Sequence, residues 1–273
     1  MLLLIDGDVM GYTSCTPIAE FRKKEQDHYD TIKVDENGHK VPLVFTEEEA
    51  ERYLESSKRI FKSNLNALKE RFWTDDFLMA VKGPGNYRDE LYKEYKAKRG
   101  TSPKPYIGRQ FVPLLREWMV SEGYAIPSTG READDLLRMW ALQATEVGDP
   151  YIICSIDKDL KCIPGTHFNL KTKEVVEMSP LAALKHYYAQ LIAGDPTDNI
   201  PGIPGVAMIT AQKILRDVHT EKEFQEAVVG NYIAAFGEDW ESMLLSNGKM
   251  IHIQGHEHDF FTIKDWEIVK ELR

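Results

Sequence analysis

The chain is short of cysteine: Cys15, Cys154 and Cys162 are the only three among 273 residues, an odd number with no Cys-x-x-Cys spacing. That excludes a disulfide framework and a thiolate zinc site, and it points to the reducing cytoplasm. Long apolar runs are missing as well. No stretch approaches the roughly 18 residues of a membrane span. Met1-Leu2-Leu3-Leu4-Ile5 lacks a basic start and runs straight into Asp6, so neither membrane insertion nor a signal peptide is expected. The sequence has no internal repeat and no low-complexity tract. Basic excess is absent too: 34 Lys and Arg face 44 Asp and Glu, a net charge of −10, the reverse of an ordinary nucleic-acid binder. Nine of those acids fall into five tight clusters: Asp6 with Asp8; Glu132 with Asp134 and Asp135; Asp157 with Asp159; Asp195; and Asp198. Without them the remainder stands near −1. If the nine hold cations, the sign of the total says little.

What is present is ample apolar material, 42% of the residues, enough for one large domain or a domain with a smaller appendage. Continuous apolar runs ending in polar residues predict buried parallel strands at Leu2 to Ile5, Phe77 to Val81 and Tyr151 to Ile156, with a weaker candidate at Tyr124 to Ile126. Helical spacing runs through Ala50, Tyr53, Leu54, Ile60, Phe61, Leu65, Leu68 and Phe72. It recurs at Phe111 to Trp118, Leu136 to Trp140 and Leu181 to Leu191. Strands alternating with helices imply an α/β fold with a parallel sheet. An inserted hairpin turning at Asn37-Gly38 is expected between His28 and Phe45. From Tyr92 to Arg109 the chain is basic, with Lys93, Lys96, Lys98, Arg99, Lys104 and Arg109. Gly, Pro and Asp crowd together from Gly194 to Gly205, and we place the start of a smaller all-helical part there.

In an open parallel sheet the ligand crevice lies beyond the carboxyl ends of the strands, and the acids fall there. Asp6 ends the first strand, Asp157 and Asp159 follow the strand ending at Ile156, and Glu132, Asp134 and Asp135 open a helix. Each group alone has an ordinary explanation as a helix cap, a solvated turn or a dipole partner. Independent caps need not converge on one edge of one sheet. Converging carboxylates repel one another, so basic partners or hard divalent cations must neutralise them. Oxygen donors without nearby His or Cys favour magnesium, with manganese able to substitute. Such a rim suits phosphoryl transfer by two metal ions.

Five motifs carry more than the acids. They are Leu4-Ile5-Asp6-Gly7; Tyr87-Arg88 followed by Tyr95-Lys96 and Arg99; Gly130-Arg131-Glu132-Ala133-Asp134-Asp135; Ser155-Ile156-Asp157-Lys158-Asp159; and Gly194-Asp195-Pro196-Thr197-Asp198-Asn199-Ile200-Pro201-Gly202-Ile203-Pro204-Gly205. In this order the sequence resembles the 5′ nuclease family of flap endonucleases, 5′ nuclease domains of bacterial DNA polymerases and bacteriophage 5′→3′ exonucleases. The resemblance implies a PIN-like α/β catalytic domain over residues 1–193, with a basic arch around 88–110. It also implies a helix-hairpin-helix DNA-binding region over 194–273. Asp6, Glu132, Asp134, Asp135, Asp157 and Asp159 would hold one or both of two Mg2+ ions, and Asp195 and Asp198 the second. Arg88 and Lys96 would reach the scissile phosphate, and Tyr95 is a candidate to stack on a base. Arg99, Gly202, Gly205 and Lys213 would meet the DNA backbone, with K+ at the hairpin. The implied substrate is duplex or flap DNA, or RNA:DNA, cut at its 5′ end in phage-type replication or in repair.

Two positions depart from the pattern. An Asp is usual seven residues before the Arg of the second motif, and here that residue is Val81. Asp8 is the candidate to supply the lost charge, since strand alternation would set it on the same side as Asp6. Val206-Ala207 follows Gly205 where a Gly-x-Gly ending is usual, which weakens the case for the K+ grip. His252, His256 and His258 read as surface or core histidines, Tyr95 equally as a packed aromatic, and Gly83-Pro84-Gly85 as a turn. Cys154, Trp118 and Trp140 read as core. Two rivals remain: a haloacid-dehalogenase-like phosphatase with Asp6 as nucleophile and Asp8 as general acid, and a non-catalytic DNA-binding relative.

Overall fold

The computed structural model describes residues 1–21, 46–97 and 110–273. The hairpin expected between His28 and Phe45, and Lys98, Arg99, Lys104 and Arg109 of the basic stretch, lie outside the described residues. The sheet has strands β1 (Leu2–Asp6), β2 (Phe77–Lys82), β3 (Ile126–Ser128), β4 (Tyr151–Ser155), β5 (Gly165–Asn169) and β6 (Val175–Met178), in the order β3-β2-β1-β4-β5-β6. All neighbours pair in parallel except β5 with β6. Apolar β1 lies between β2 and β4, so the strand order reverses beside it, and in such sheets the crevice opens at that point.

Strand alternation divides the core. Leu3, Ile5, Met79, Val81, Ile152 and Cys154 point to one face, covered by α1 (Gly7–Phe21), α2 (Glu47–Phe72) and, past a short helix α3 (Tyr87–Leu91), α4 (Phe111–Ser121). Leu4, Ala80 and Ile153 point to the other, where α5 (Ala133–Val147) packs with Leu137 and Ala141. Thr46 caps α2 by accepting from the Glu49 amide while the Glu49 carboxylate accepts from the Thr46 amide, and this fixes where the helix begins. After a turn at Asp159–Cys162 and the β5-β6 hairpin comes α6 (Pro180–Ala193), then α7 (Met208–Ile214), α8 (Glu221–Phe236), α9 (Trp240–Ile251) and α10 (Glu267–Leu272). Tyr188, Leu191 and Ile192 of α6 form one core with Ile200, Phe224, Tyr232 and Leu244. The helix before Gly194 therefore packs with the helical region after it.

The loop joining α6 to α7 turns through two glycines laid back to back. Gly194 and Gly202 have φ of 69° and 61°, and a β-carbon on Gly202 would stand 2.3 Å from the Ala193 carbonyl carbon and from the Gly194 nitrogen. Backbone cannot yield there. Gly202→Ala should cost roughly 2–3 kcal/mol, read as a lower urea midpoint; an unchanged midpoint would contradict the packing.

The sequence missed β5 and β6. Gly165-Thr166-His167-Phe168-Asn169 is mostly polar, and β6 is an edge with Val175 and Val176 about half exposed, so neither carries a strong apolar pattern. The third strand lies two residues later than expected. Gly7 follows β1 directly and starts α1, because its missing side chain leaves room for Val81 Cγ1, which a β-carbon would approach to 2.6 Å.

Candidate active site

At the carboxyl edge of the sheet, beside β1 and β4, lies a cleft of about 520 Å³. Eight of the nine expected acids line it: Asp6, Asp8, Glu132, Asp134, Asp157, Asp159, Asp195 and Asp198. Asp6 is 6% exposed and is fixed by two donors, the Val9 amide at 3.0 Å and the Ser155 hydroxyl at 2.7 Å. The same Ser155 hydroxyl accepts from the Asp157 amide, and Asp157 Oδ1 accepts from the Asp159 amide, so the turn after β4 is tied to Asp6 and brings both its acids to the cleft. Gln190 of α6 donates to Asp159 Oδ1 at 2.6 Å. Asp195 accepts from the Thr197 amide at 2.7 Å, inside a small loop closed by an antiparallel bridge from Asp195 to Ile200.

Two lysines enter this ring. Lys96 bonds Glu132 and lies 3.7 Å from Asp198, with its amide donating to the Asp198 carbonyl and its ammonium over the Tyr95 ring. Lys158 Nζ lies 3.1 Å from Asp195 Oδ2 and 3.9 Å from Asp159 Oδ1. The acids still strain against one another. Burial lifts Asp6 to about 6, with the charges of Asp8 and Asp157 adding to it. Withdrawal from water, then Asp157, Asp6 and Glu132, hold Asp134 well above the usual carboxylate range. Burial, Asp157 and Asp195 raise Asp159 to about 7. Asp195 is the opposite case: burial pushes it up, but the Thr197 amide and Lys158 win and hold it low.

An acid whose pKa is raised by folding favours the folded state while it is protonated, and that contribution is lost as pH climbs from the unfolded value through the folded one. For Asp6 and Asp159 the window runs from the ordinary value of 3.8 to about 6 and about 7. These acids should therefore take stability from the metal-free protein between about pH 4 and about pH 7, against an opposing gain from His186, which burial pushes down to about 4, and a divalent ion should stabilise the protein most at the upper end. Thermal melts of metal-free wild type and Asp159→Asn check this; a difference between the two that does not grow with pH through that window would contradict it.

Among the described residues no three acidic, His or Cys side chains are gathered tightly enough to hold a cation as they stand. The donor chemistry nevertheless fits a hard divalent ion: oxygens only, from separate segments, in excess of the two lysines, with the Asp157 charge raising both Asp6 and Asp134.

Several expected roles change with the geometry. Arg88, expected at the scissile phosphate, is 1% exposed, with its guanidinium held bidentate by Asp135 at 2.8 and 2.9 Å. Its Nε donates to the Met250 carbonyl and a terminal nitrogen to that of His252. Asp135, expected as a metal ligand, is wholly buried, and it also accepts from the Glu132 and Gln254 amides. No oxygen of it remains for a cation. Tyr95 is 7% exposed and donates to Glu132 at 3.0 Å, the packed reading rather than the stacking one. Asp8 lies in the first turn of α1 rather than on a strand, so the alternation argument fails; its oxygens take the Lys82 amide at 2.7 Å and Arg116 at 2.6 Å. Gly202 is buried in the Gly194 contact, while Gly205 and Lys213 are exposed. His252 sits between Tyr187 and Asp259, at 3.3 and 3.1 Å, and His256 and His258 are exposed.

Gln190 and Asn86 were not singled out from sequence, and Ser155 and Lys158 were named only as members of a motif, without a role. Asn86 donates to Glu132 at 3.0 Å. A signal existed for Gln190, a lone amide inside the apolar run Tyr187 to Ala193, and for Lys158, a cation between two acids.

Comparison with known proteins gives this geometry its relatives. Residues 46–188, more than half of the chain, match the family model described as 5′-3′ exonuclease, N-terminal resolvase-like domain. DNA polymerase I of Bacillus caldotenax is 33% identical over 154 residues, 50% of this chain and 17% of that one. Thermostable DNA polymerase I of Thermus thermophilus is 32% identical over 165 residues, 57% of this chain and 20% of that one. The match thus spans a fifth or less of those two polymerases. Among solved structures, a bacteriophage T5 protein co-crystallised with metal ions aligns with TM-score 0.58 and 18% identity over 92% of this chain and 88% of that one. The T5 flap endonuclease in a pseudo-enzyme-product complex with DNA and metal ions aligns at TM-score 0.57 with the same identity and coverage. The T5 likenesses show the fold. Among the described residues no helix is long and apolar enough to cross a membrane.

Proposed function

Since the chain belongs to the family of 5′-3′ exonuclease N-terminal, resolvase-like domains, we propose that it is a divalent-metal-dependent 5′ nuclease, hydrolysing phosphodiesters at the 5′ ends of duplex or flap DNA, or of RNA:DNA. The observation that carries the reading is the convergence of eight acids from separate segments on the cleft at the strand-order reversal. We assign Asp6, Asp134 and Asp157, with Glu132 beside them, to one ion, and Asp159, Asp195 and Asp198 to a second. Mg2+ is the expected ion. The pair would supply a water of lowered pKa and neutralise charge on the phosphate.

The chain's own groups do the rest. Lys96, anchored through its amide to the Asp198 carbonyl, can exchange Glu132 for a phosphate oxygen and stabilise charge developing there. Arg88 and Asp135 hold the wall of the cleft. Lys213 and the exposed Gly205 offer charge and backbone to DNA phosphates without reading bases. K+ at the hairpin, a phage-type replication role and a cytoplasmic location belong to the same reading. The phosphatase alternative fares worse, since Asp8, its general acid, is committed to Arg116. A non-catalytic relative is favoured by one observation: Val81, at the position where an Asp is usual, is buried in the core and adds no carboxylate to the cleft.

The test is product sizing on 5′-labelled blunt and flap duplexes, with Mg2+ and with EDTA, using Asp157→Asn as the control for contamination. Mononucleotides mean exonuclease action and flap-length oligonucleotides mean endonuclease action. Binding without any Mg2+-dependent product would establish the non-catalytic relative, and cleavage unaffected by Asp157→Asn would remove the site assignment.

A further inference from the structure

We propose that Lys158 is an internal counter-cation for the Asp159 and Asp195 half of the cleft, occupying it in the metal-free protein and expelled when a divalent ion binds. The proposal rests on the metal-dependent reading above. Its basis is the contrast between fixed acids and a movable cation. Asp195 is 3% exposed and pinned by the Thr197 amide, and Asp159 is pinned by Gln190. The Lys158 side chain is 54% exposed, although its ammonium reaches within 3.1 and 3.9 Å of those two carboxylates. It has an open route to water.

Lys96 differs in each respect. Its side chain is 24% exposed, its amide is bonded to the Asp198 carbonyl, and its ammonium lies 4.7 Å from the centre of the Tyr95 ring. It is built in, whereas Lys158 is held by its two acids alone among the contacts described for its ammonium. An ammonium and a divalent ion cannot share two carboxylates at these distances, because like charges so close repel strongly. Entry of the ion therefore requires the lysine to leave. The acids, lacking three donors gathered at one point, then close on the ion. Metal affinity at this half is accordingly set by competition with a residue of the chain itself, and removing the competitor tightens it.

The experiment titrates Mn2+ into the intact protein and reads free Mn2+ by electron paramagnetic resonance. Lys158→Met is compared with Lys161→Met, which removes the same charge three positions away. The expected result is binding about fivefold tighter in Lys158→Met than in Lys161→Met, the scale of a partly exposed ion pair. A second readout needs no variant: acylation of lysines in the wild-type chain, mapped by mass spectrometry, should show Lys158 labelled faster with saturating Mg2+ than with EDTA. Equal affinities in the two variants, or Lys158 labelling that does not rise with Mg2+, would overturn the proposal while leaving the metal reading intact. Wild-type protein that binds no Mn2+ would overturn both.

Discussion

Replacing Arg88 with methionine should destabilise the protein by about 3–5 kcal/mol, the cost of leaving a buried charge without its partner. Asp135 is wholly buried and takes both arms of the guanidinium, so the substitution would strand a carboxylate that no water can reach. The Met250 carbonyl would lose its side-chain donor as well, and that of His252 would keep only Tyr87. Arg88→Lys should recover only part of the loss, because an ammonium cannot offer the planar fork. Urea denaturation measures both variants, and a cost below about 1 kcal/mol for Arg88→Met, the range of an exposed pair, would mean that the pair is not the structural element described.

The second large effect is on chemistry. Asp134→Asn should lower Mg2+-dependent cleavage by about a thousandfold or more, on the scale seen when one centre of transition-state charge stabilisation is removed, with DNA binding retained. The same substitution should raise the metal-free melting temperature near neutral pH. Asp134 is held well above its ordinary pKa by withdrawal from water and by Asp157 and Asp6, and a neutral amide relieves that repulsion. Its neighbour Asp135 should behave in the opposite way, Asp135→Asn lowering the melting temperature by uncoupling Arg88. Cleavage assays and thermal melts on the two variants give the answer. Full activity in Asp134→Asn, or melting shifts of the same sign in both, would contradict the division of labour between these adjacent acids.

That division was not legible in the sequence. Glu132, Asp134 and Asp135 form one motif in one dimension, but the helical turn sends Asp134 into the cleft and Asp135 into the core. Only Arg88, arriving from 47 residues away, settles which acid is which. The strands Leu2–Asp6, Phe77–Lys82 and Tyr151–Ser155 were readable because burial on both faces makes them continuously apolar. The edge pair β5 and β6 was not, for want of that burial. The convergence of the acids was readable from strand ends and topology rules. The route by which Asp8 reaches the cleft was misread, because Gly7 turns strand into helix at once and a period of two does not survive that junction. Arg88 was misread for another reason: a motif position tells where the chain passes, and says nothing about whether the guanidinium faces the cleft or the core.

The segment from Met250 to Gln254 borders the cleft through Met250, Ile251 and Ile253 and is laced to the rest of the molecule from several sides. Arg88 bonds two of its carbonyls, Arg138 donates to the Ile253 carbonyl, Tyr87 reaches that of His252, and the Gln254 amide closes on Asp135. Every one of those partners lies at least 115 residues earlier in the chain. During synthesis the acids of the rim are therefore made long before the wall that braces them. A nascent chain released only as far as α8 carries all nine carboxylates, while Arg88 still lacks two of the acceptors that fix it. The wall of the cleft is then completed only by residues beyond α8, so the order of synthesis sets the order in which the cleft can be assembled.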